Sequence, residues 1–281
     1  MASLAMARDA VFQAFRPGRL WFLQLLVNPI LFLLFAGWLL IPVANAWQLT
    51  GNVALAVVLV AACFSLHAGT INYYRDFYSG TAAGDKHPRW SDAFRRALRH
   101  LLAIAACAVV LWLLWFLLDN LDAYRKPLPT FVRSMLPVFL RRHIRLSELD
   151  ATFGGLLFAA RWIVVPGLLL PIVEVAADAG FRGFSRGRGC FWIWKHAVDS
   201  LWYWLILAIA AVLGVVAAPK ILAWTPDFKT STLRHEYASL GWRVVAAYLL
   251  GLTAWMVVCS LLGCSAAAAR SRDDVSRNPG A

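Results

Sequence analysis

Apolar residues in this chain fall into long runs broken by short polar stretches, a pattern of buried or lipid-facing helices rather than alternating strands. Six runs are long enough to approach the about 20 residues that cross a bilayer: 21–44, 52–72, 98–118, 151–177, 201–224 and 242–264. The expected fold is therefore all-α, a polytopic integral membrane helical bundle of about six transmembrane helices over residues 20–264. Residues 1–19 precede it as an amphipathic cytoplasmic N-terminus, with Leu4, Val11, Phe12 and Phe15 set against Arg8, Asp9 and Arg16. Such a helix is expected to lie on the membrane surface. Residues 265–281, polar with Pro and Gly, read as a disordered cytoplasmic tail.

Two polar segments carry a helical period of their own. Ala93, Phe94, Ala97, Leu98 and Leu101 lie opposite Arg95, Arg96 and Arg99, with Ser91 as the expected N-cap. Leu128, Phe131, Val132, Met135, Leu136, Phe139 and Leu140 form a second stripe, ringed by Arg133, Arg141, Arg142 and Arg145 and bent at Pro137. Both read as membrane-surface helices, the second also as a partner-binding surface. Ser147 to Asp150 fits a capping box before span four. Within the spans, Pro29 is expected to kink the first, and Pro166 and Pro171 to bend the fourth.

Composition sharpens this picture. The 281 residues are 61% hydrophobic and only 15% charged, with a mean hydropathy of +0.64; a soluble domain carries about 25% charged residues. That excludes an ordinary soluble enzyme. Lys and Arg number 27 against 15 Asp and Glu, but they sit in short loops between spans, so the excess orients the chain and meets anionic headgroups rather than nucleic acid. With the N-terminus inside, and counting Arg99, Lys220 and Arg243 at span ends with the adjoining segments, the inner segments hold 16 basic residues and the outer ones 10, with Arg161 well inside a span. The count favours both termini in the cytoplasm of a cell inner (plasma) membrane. Ala44-Asn45-Ala46 matches a signal-peptidase pattern, but the preceding apolar run exceeds the about 7–15 residues of a signal core. Cys63, Cys107, Cys190, Cys259 and Cys264 form no C-x-x-C pair and read as small buried hydrophobes.

Trp90-Ser-Asp-Ala93 and Trp194-Lys-His-Ala197 stand 104 residues apart. Each follows a span and a linker bearing Gly and Arg, and each leads into the next span, a context that points to an internal duplication. Val164-Val-Pro166-Gly167-Leu-Leu-Leu-Pro171, followed by a small-residue helix end and Trp194 to Leu201, resembles the membrane domain of glycerophosphodiester phosphodiesterases and related six-helix bacterial inner-membrane proteins over roughly residues 55–225. The chain has no room for the soluble catalytic barrel of those enzymes and no Glu, Asp and His run to hold a metal. The resemblance thus implies the membrane domain without the chemistry.

Few residues are candidates for a site. Arg161 and Glu174 are charges within a span, and such charges mark function or structural pairing. Thirteen residues of helix separate them by about 20 Å, so they do not pair with each other. His67 is a lone histidine in span two, with no second histidine at metal-ligand spacing. Arg182, Arg186, Arg188 and Lys195 from the second inner linker, with Arg75, Arg95, Arg96 and Arg99 from the first, are expected to converge on one basic patch that binds acidic phospholipid headgroups. No catalytic constellation, metal site or cofactor motif is present. The expected function is a non-enzymatic structural, assembly or accessory membrane component, whose partners are the bilayer and a membrane protein or a second copy. The alternative is a small transporter or permease, built on the proline-broken span four and Glu174. A lipid-modifying membrane enzyme is the third reading.

Overall fold

The computed structural model describes residues 2–42, 44–83, 88–124, 127–185, 188–225 and 233–277. Among these the chain is all helix. In order they are α1 (Ala2–Gln13), α2 (Gly18–Leu39), α3 (Ala46–Ala83), α4 (Trp90–Arg99), α5 (Leu101–Asp122), α6 (Pro127–Met135), α7 (Val138–His143), α8 (Leu146–Ala159), α9 (Val165–Ala179), α10 (Phe181–Ser185), α11 (Arg188–Val198), α12 (Leu201–Ala211), α13 (Ala218–Ala223) and α14 (Leu233–Arg277). Six stretches are long and apolar enough to cross a membrane, matching the six runs in the sequence. The protein is a multi-pass helical membrane protein.

Span four joins α8 to α9 through a π turn at Ala160–Val164, and span five joins α12 to α13 through another at Val212–Ala217. Each π turn lies just ahead of a proline, Pro166 or Pro219. A proline has no N–H to give the carbonyl four residues back and crowds it. Widening the preceding turn is one way a helix takes this up. Pro29 sits inside α2 with no such turn.

Packing is concentrated at one end of the bundle. On α3, Leu66, Ala68, Ile71, Tyr74 and Phe77 are buried, whereas Trp47, Val53 and Val57 near its start are exposed. On α14 most of the buried residues lie between Leu252 and Ala269, with Arg243 and Ala247 before them. The apolar stretch of α14 is 44% buried, against 11–28% for the other spans, and it packs on spans two, four and five. Gly263 makes this possible. A Cβ there would come within 2.6 Å of the Arg75 amide nitrogen on α3, so only glycine lets the two backbones approach so closely.

Several sequence expectations are corrected. α3 continues through the linker expected after Asn72, because Tyr74 and Phe77 are buried and hold it helical. α14 likewise continues past Cys264 to Arg277, where an irregular tail was expected. Ala266 and Ala269 are buried at the start of this extension. α1 does not rest on the surface by its bulky residues alone. Ala7 and Ala10, with Ala14 just past its end, are buried against the bundle, while Phe12 and the following Phe15 are 70% and 53% exposed. Neither Ser91 nor Ser147 caps a helix: α4 starts at Trp90 and α8 at Leu146. The Glu148 carboxylate, at the third position of α8, accepts instead from the Arg145 amide at 3.1 Å.

Candidate functional site

The charges of the packed end meet in one network. Arg75 lies in the buried half of α3 and is 1% exposed. Its Nη1 donates to Glu174 Oε1 of α9 at 3.3 Å. Its Nη2 lies 2.7 Å from Asp178 Oδ1, one turn further along α9, and 3.1 Å from Asp76 Oδ1. The periphery is closed by Arg96 of α4, which pairs with Asp76, and Arg270 of α14, which pairs with Asp178. Three guanidinium groups thus face three carboxylates. A buried charge with no partner would lose several kcal/mol of hydration, so this balance is what makes the cluster tolerable. Asn72, one turn before Arg75, donates from Nδ2 to the Ala177 carbonyl at 3.0 Å and ties the same two helices.

A second polar group lies deeper in the membrane-spanning region. Asn28 Nδ2 donates to Gln24 Oε1, and Gln24 Nε2 donates to Thr70 Oγ1, both at 2.5 Å. The Tyr248 hydroxyl donates to the Gln24 carbonyl at 3.0 Å. This ladder joins α2, α3 and α14, and Gln24 and Thr70 are fully buried. Unpaired polar atoms are expensive in hydrocarbon, so the ladder specifies which faces of the three helices meet. His67 stacks edge-on against Trp255, ring centroids 5.2 Å apart, and its Nδ1 has no hydrogen-bond partner among the described residues.

The sequence candidates separate into distinct roles. Glu174 is paired as a helix tie, to Arg75 and not to Arg161. Arg161 instead pairs with Asp119 of α5, near the opposite end of the bundle. Arg75 is removed from the lipid-binding set: three carboxylates enclose it and no surface remains for a headgroup. Arg96 is likewise turned toward Asp76. Half of the first set therefore neutralises acids and is lost to any basic patch shared by the two linkers. Arg95, Arg99, Arg182 and Lys195 are exposed. Arg186 and the side chain of Arg188 lie outside the described residues. The two helices led by Trp90 and Trp194 share one feature, since α4 packs on α3 and α11 packs on α9.

Asp76, Asp178 and Arg270 were missed in the sequence because each lies at a span end, where charges are ordinary. The spacing of Glu174 and Asp178, i and i+4 on one helix face, was the available signal. Among the described residues no group of three or more His, Cys, Asp or Glu side chains is placed to hold a metal ion. No protein-family model, curated protein or solved structure matches the chain.

Proposed function

We propose that this protein is a non-enzymatic accessory or assembly component of the cell inner membrane, with both termini in the cytoplasm. The observation that carries this reading is the state of Glu174. It is the one carboxylate well inside a span and the strongest transport candidate, yet it is 0% exposed and paired with an arginine that is itself 1% exposed. A carboxylate held this way ties helices together and presents nothing to a solute. The exposed Arg182 and Lys195, together with Arg186 and Arg188 in the same linker, contact acidic phospholipid headgroups on the cytoplasmic face, each worth about 1 kcal/mol near an anionic leaflet.

The test is a clean deletion, followed by quantitative lipidomics, solute uptake and native electrophoresis of membrane complexes. The expected result is unchanged lipid composition and uptake with loss or shrinkage of a membrane complex. Loss of one specific conversion or solute flux, restored by the wild-type chain, overturns the reading.

One observation favours a permease as the second reading. Glu174 Oε2 and Arg75 Nε have no hydrogen-bond partner among the described residues, so the network is incompletely satisfied. In a permease it would act as a closed gate between α3 and α9. A solute flux abolished by Glu174→Gln at normal protein abundance would select this reading over the first.

A further inference from the structure

A shallow cavity of about 370 Å³ opens where α2 begins, lined by Gly18, Arg19, Phe22 and Leu23 of that helix and by Trp90, the first residue of α4. Its size falls in the range of small-molecule sites, about 300–1,000 Å³. Positions 19, 22 and 23 are spaced i, i+3 and i+4, so they share one face of α2. Trp90 forms the facing wall. It packs edge-on against Phe94, ring centroids 6.0 Å apart. Phe94 in turn covers Gly69 of α3, where a Cβ would lie 2.8 Å from the ring. Packed elements therefore fix both walls.

The charge at this cavity is unanswered. Arg19 lines it, Arg16 precedes it and Arg89 adjoins Trp90, and all three are exposed. Among the described residues none of the three has an ion pair, whereas Arg75, Arg96, Arg161 and Arg270 each have at least one. Asp92, two residues beyond Trp90, is exposed and does not line the cavity. A guanidinium fork presents paired donors that match a phosphate.

Below the cavity the same face of α2 continues as an apolar track. Leu26, Ile30 and Leu33 are 51%, 47% and 67% exposed. From Arg19 to Leu33 the helix rises about 21 Å, more than the roughly 15 Å depth of one leaflet's hydrocarbon. A cationic rim, an aromatic wall and an apolar track leading into the membrane match one kind of molecule.

We propose that this cavity and track bind one glycerophospholipid with an anionic headgroup, its phosphate on Arg19, Arg16 and Arg89 at the rim, and an acyl chain along Phe22, Leu26 and Ile30. The site shares no residue with the Arg182 to Lys195 surface, so either can fail without the other. It also holds whether the protein is an accessory component or a permease.

The full-length protein in detergent, given equal phosphatidylglycerol and phosphatidylcholine in mixed micelles, is read by native mass spectrometry of retained lipid. The wild type is expected to retain phosphatidylglycerol preferentially. Arg19→Gln should lower that preference about fivefold, the equivalent of about 1 kcal/mol for one basic group. Arg19→Gln with Arg89→Gln should lower it further, to the level that the Arg182 to Lys195 surface retains alone, and Arg19→Lys should keep part of the difference. Arg142→Gln with Arg234→Gln removes two exposed charges outside both surfaces and should leave it unchanged. Equal retention by the Arg19 and Arg89 double variant and the wild type overturns the proposal, as does an equal loss in the Arg142 and Arg234 control. Excess inorganic phosphate should not displace the lipid; displacement would make the site one for free phosphate and overturn the lipid assignment.

Discussion

Arg75 Nη1 meets Glu174 Oε1 at 3.3 Å across 99 positions of sequence. Each of the two side chains is 1% exposed, so the pair is a desolvated tie between spans two and four. Removing one partner of such a pair costs about 3–5 kcal/mol, while removing both into apolar side chains costs much less. If Arg75 is lost, Asp76 and Asp178 keep Arg96 and Arg270, but Glu174 keeps no ion pair. Arg75→Leu should therefore lower the thermal midpoint in detergent more than Arg75→Leu with Glu174→Leu. Additive effects of the two single variants would mean that the pair carries no coupling.

The approach of α14 to α3 depends on Gly263. Adding one methyl there forces a backbone contact at 2.6 Å to shift, and overpacking of this kind costs about 1–3 kcal/mol. Gly251, on the same helix, has nothing within 4 Å of an added Cβ. Gly251→Ala should be neutral or stabilise slightly, by helix propensity alone. Thermal unfolding of the two variants in parallel checks this. Equal midpoints would remove the close approach as a determinant of packing.

How legible this arrangement was in the sequence depends on the kind of signal each feature leaves. Spans announce themselves because about 20 apolar residues in a row have few other uses. All six were readable for that reason, with edges displaced where buried aromatics such as Tyr74 or small residues such as Ala266 extend a helix past its hydrophobic run. Glu174 stood out because a carboxylate inside a span needs an explanation. Its partner did not, because Arg75 lies in Tyr73-Tyr-Arg-Asp-Phe-Tyr, which reads as a basic linker until the fold shows it helical and buried. The same lack of tertiary information made Arg75 and Arg96 look like headgroup ligands. Gln24 and Thr70 left no signal, since a single amide or hydroxyl in an apolar run gains meaning only when another helix supplies its partner.

The π turns before Pro166 and Pro219 give a test of how the spans tolerate proline. An unrelieved proline inside a helix costs about 3 kcal/mol. If the turn at Ala160–Val164 already absorbs that strain, Pro166→Ala should gain less than about 1 kcal/mol. Pro29 has no such turn within α2, so Pro29→Ala should stabilise more than Pro166→Ala. The reverse order in unfolding midpoints would show that the π turn does not serve the proline.

Orientation can be tested at two serines. Six spans place Ser91 of α4 and Ser134 of α6 on opposite sides of the membrane, with one span, α5, between them. Both serines are exposed, so a cysteine at either site is open to reagent. The positive-inside count, 16 basic residues against 10, predicts Ser91 on the cytoplasmic side. Pairing of Arg75 and Arg96 with carboxylates leaves this count intact, because the rule counts Lys and Arg rather than net charge. The background is low, since Cys63, Cys107, Cys259 and Cys264 are buried or half-buried, and Cys190 is replaced by serine. In intact cells a membrane-impermeant maleimide should label Ser134→Cys and spare Ser91→Cys until the membrane is opened. Labelling of Ser91→Cys alone would invert the topology, and labelling of both in intact cells would remove α5 as a membrane span.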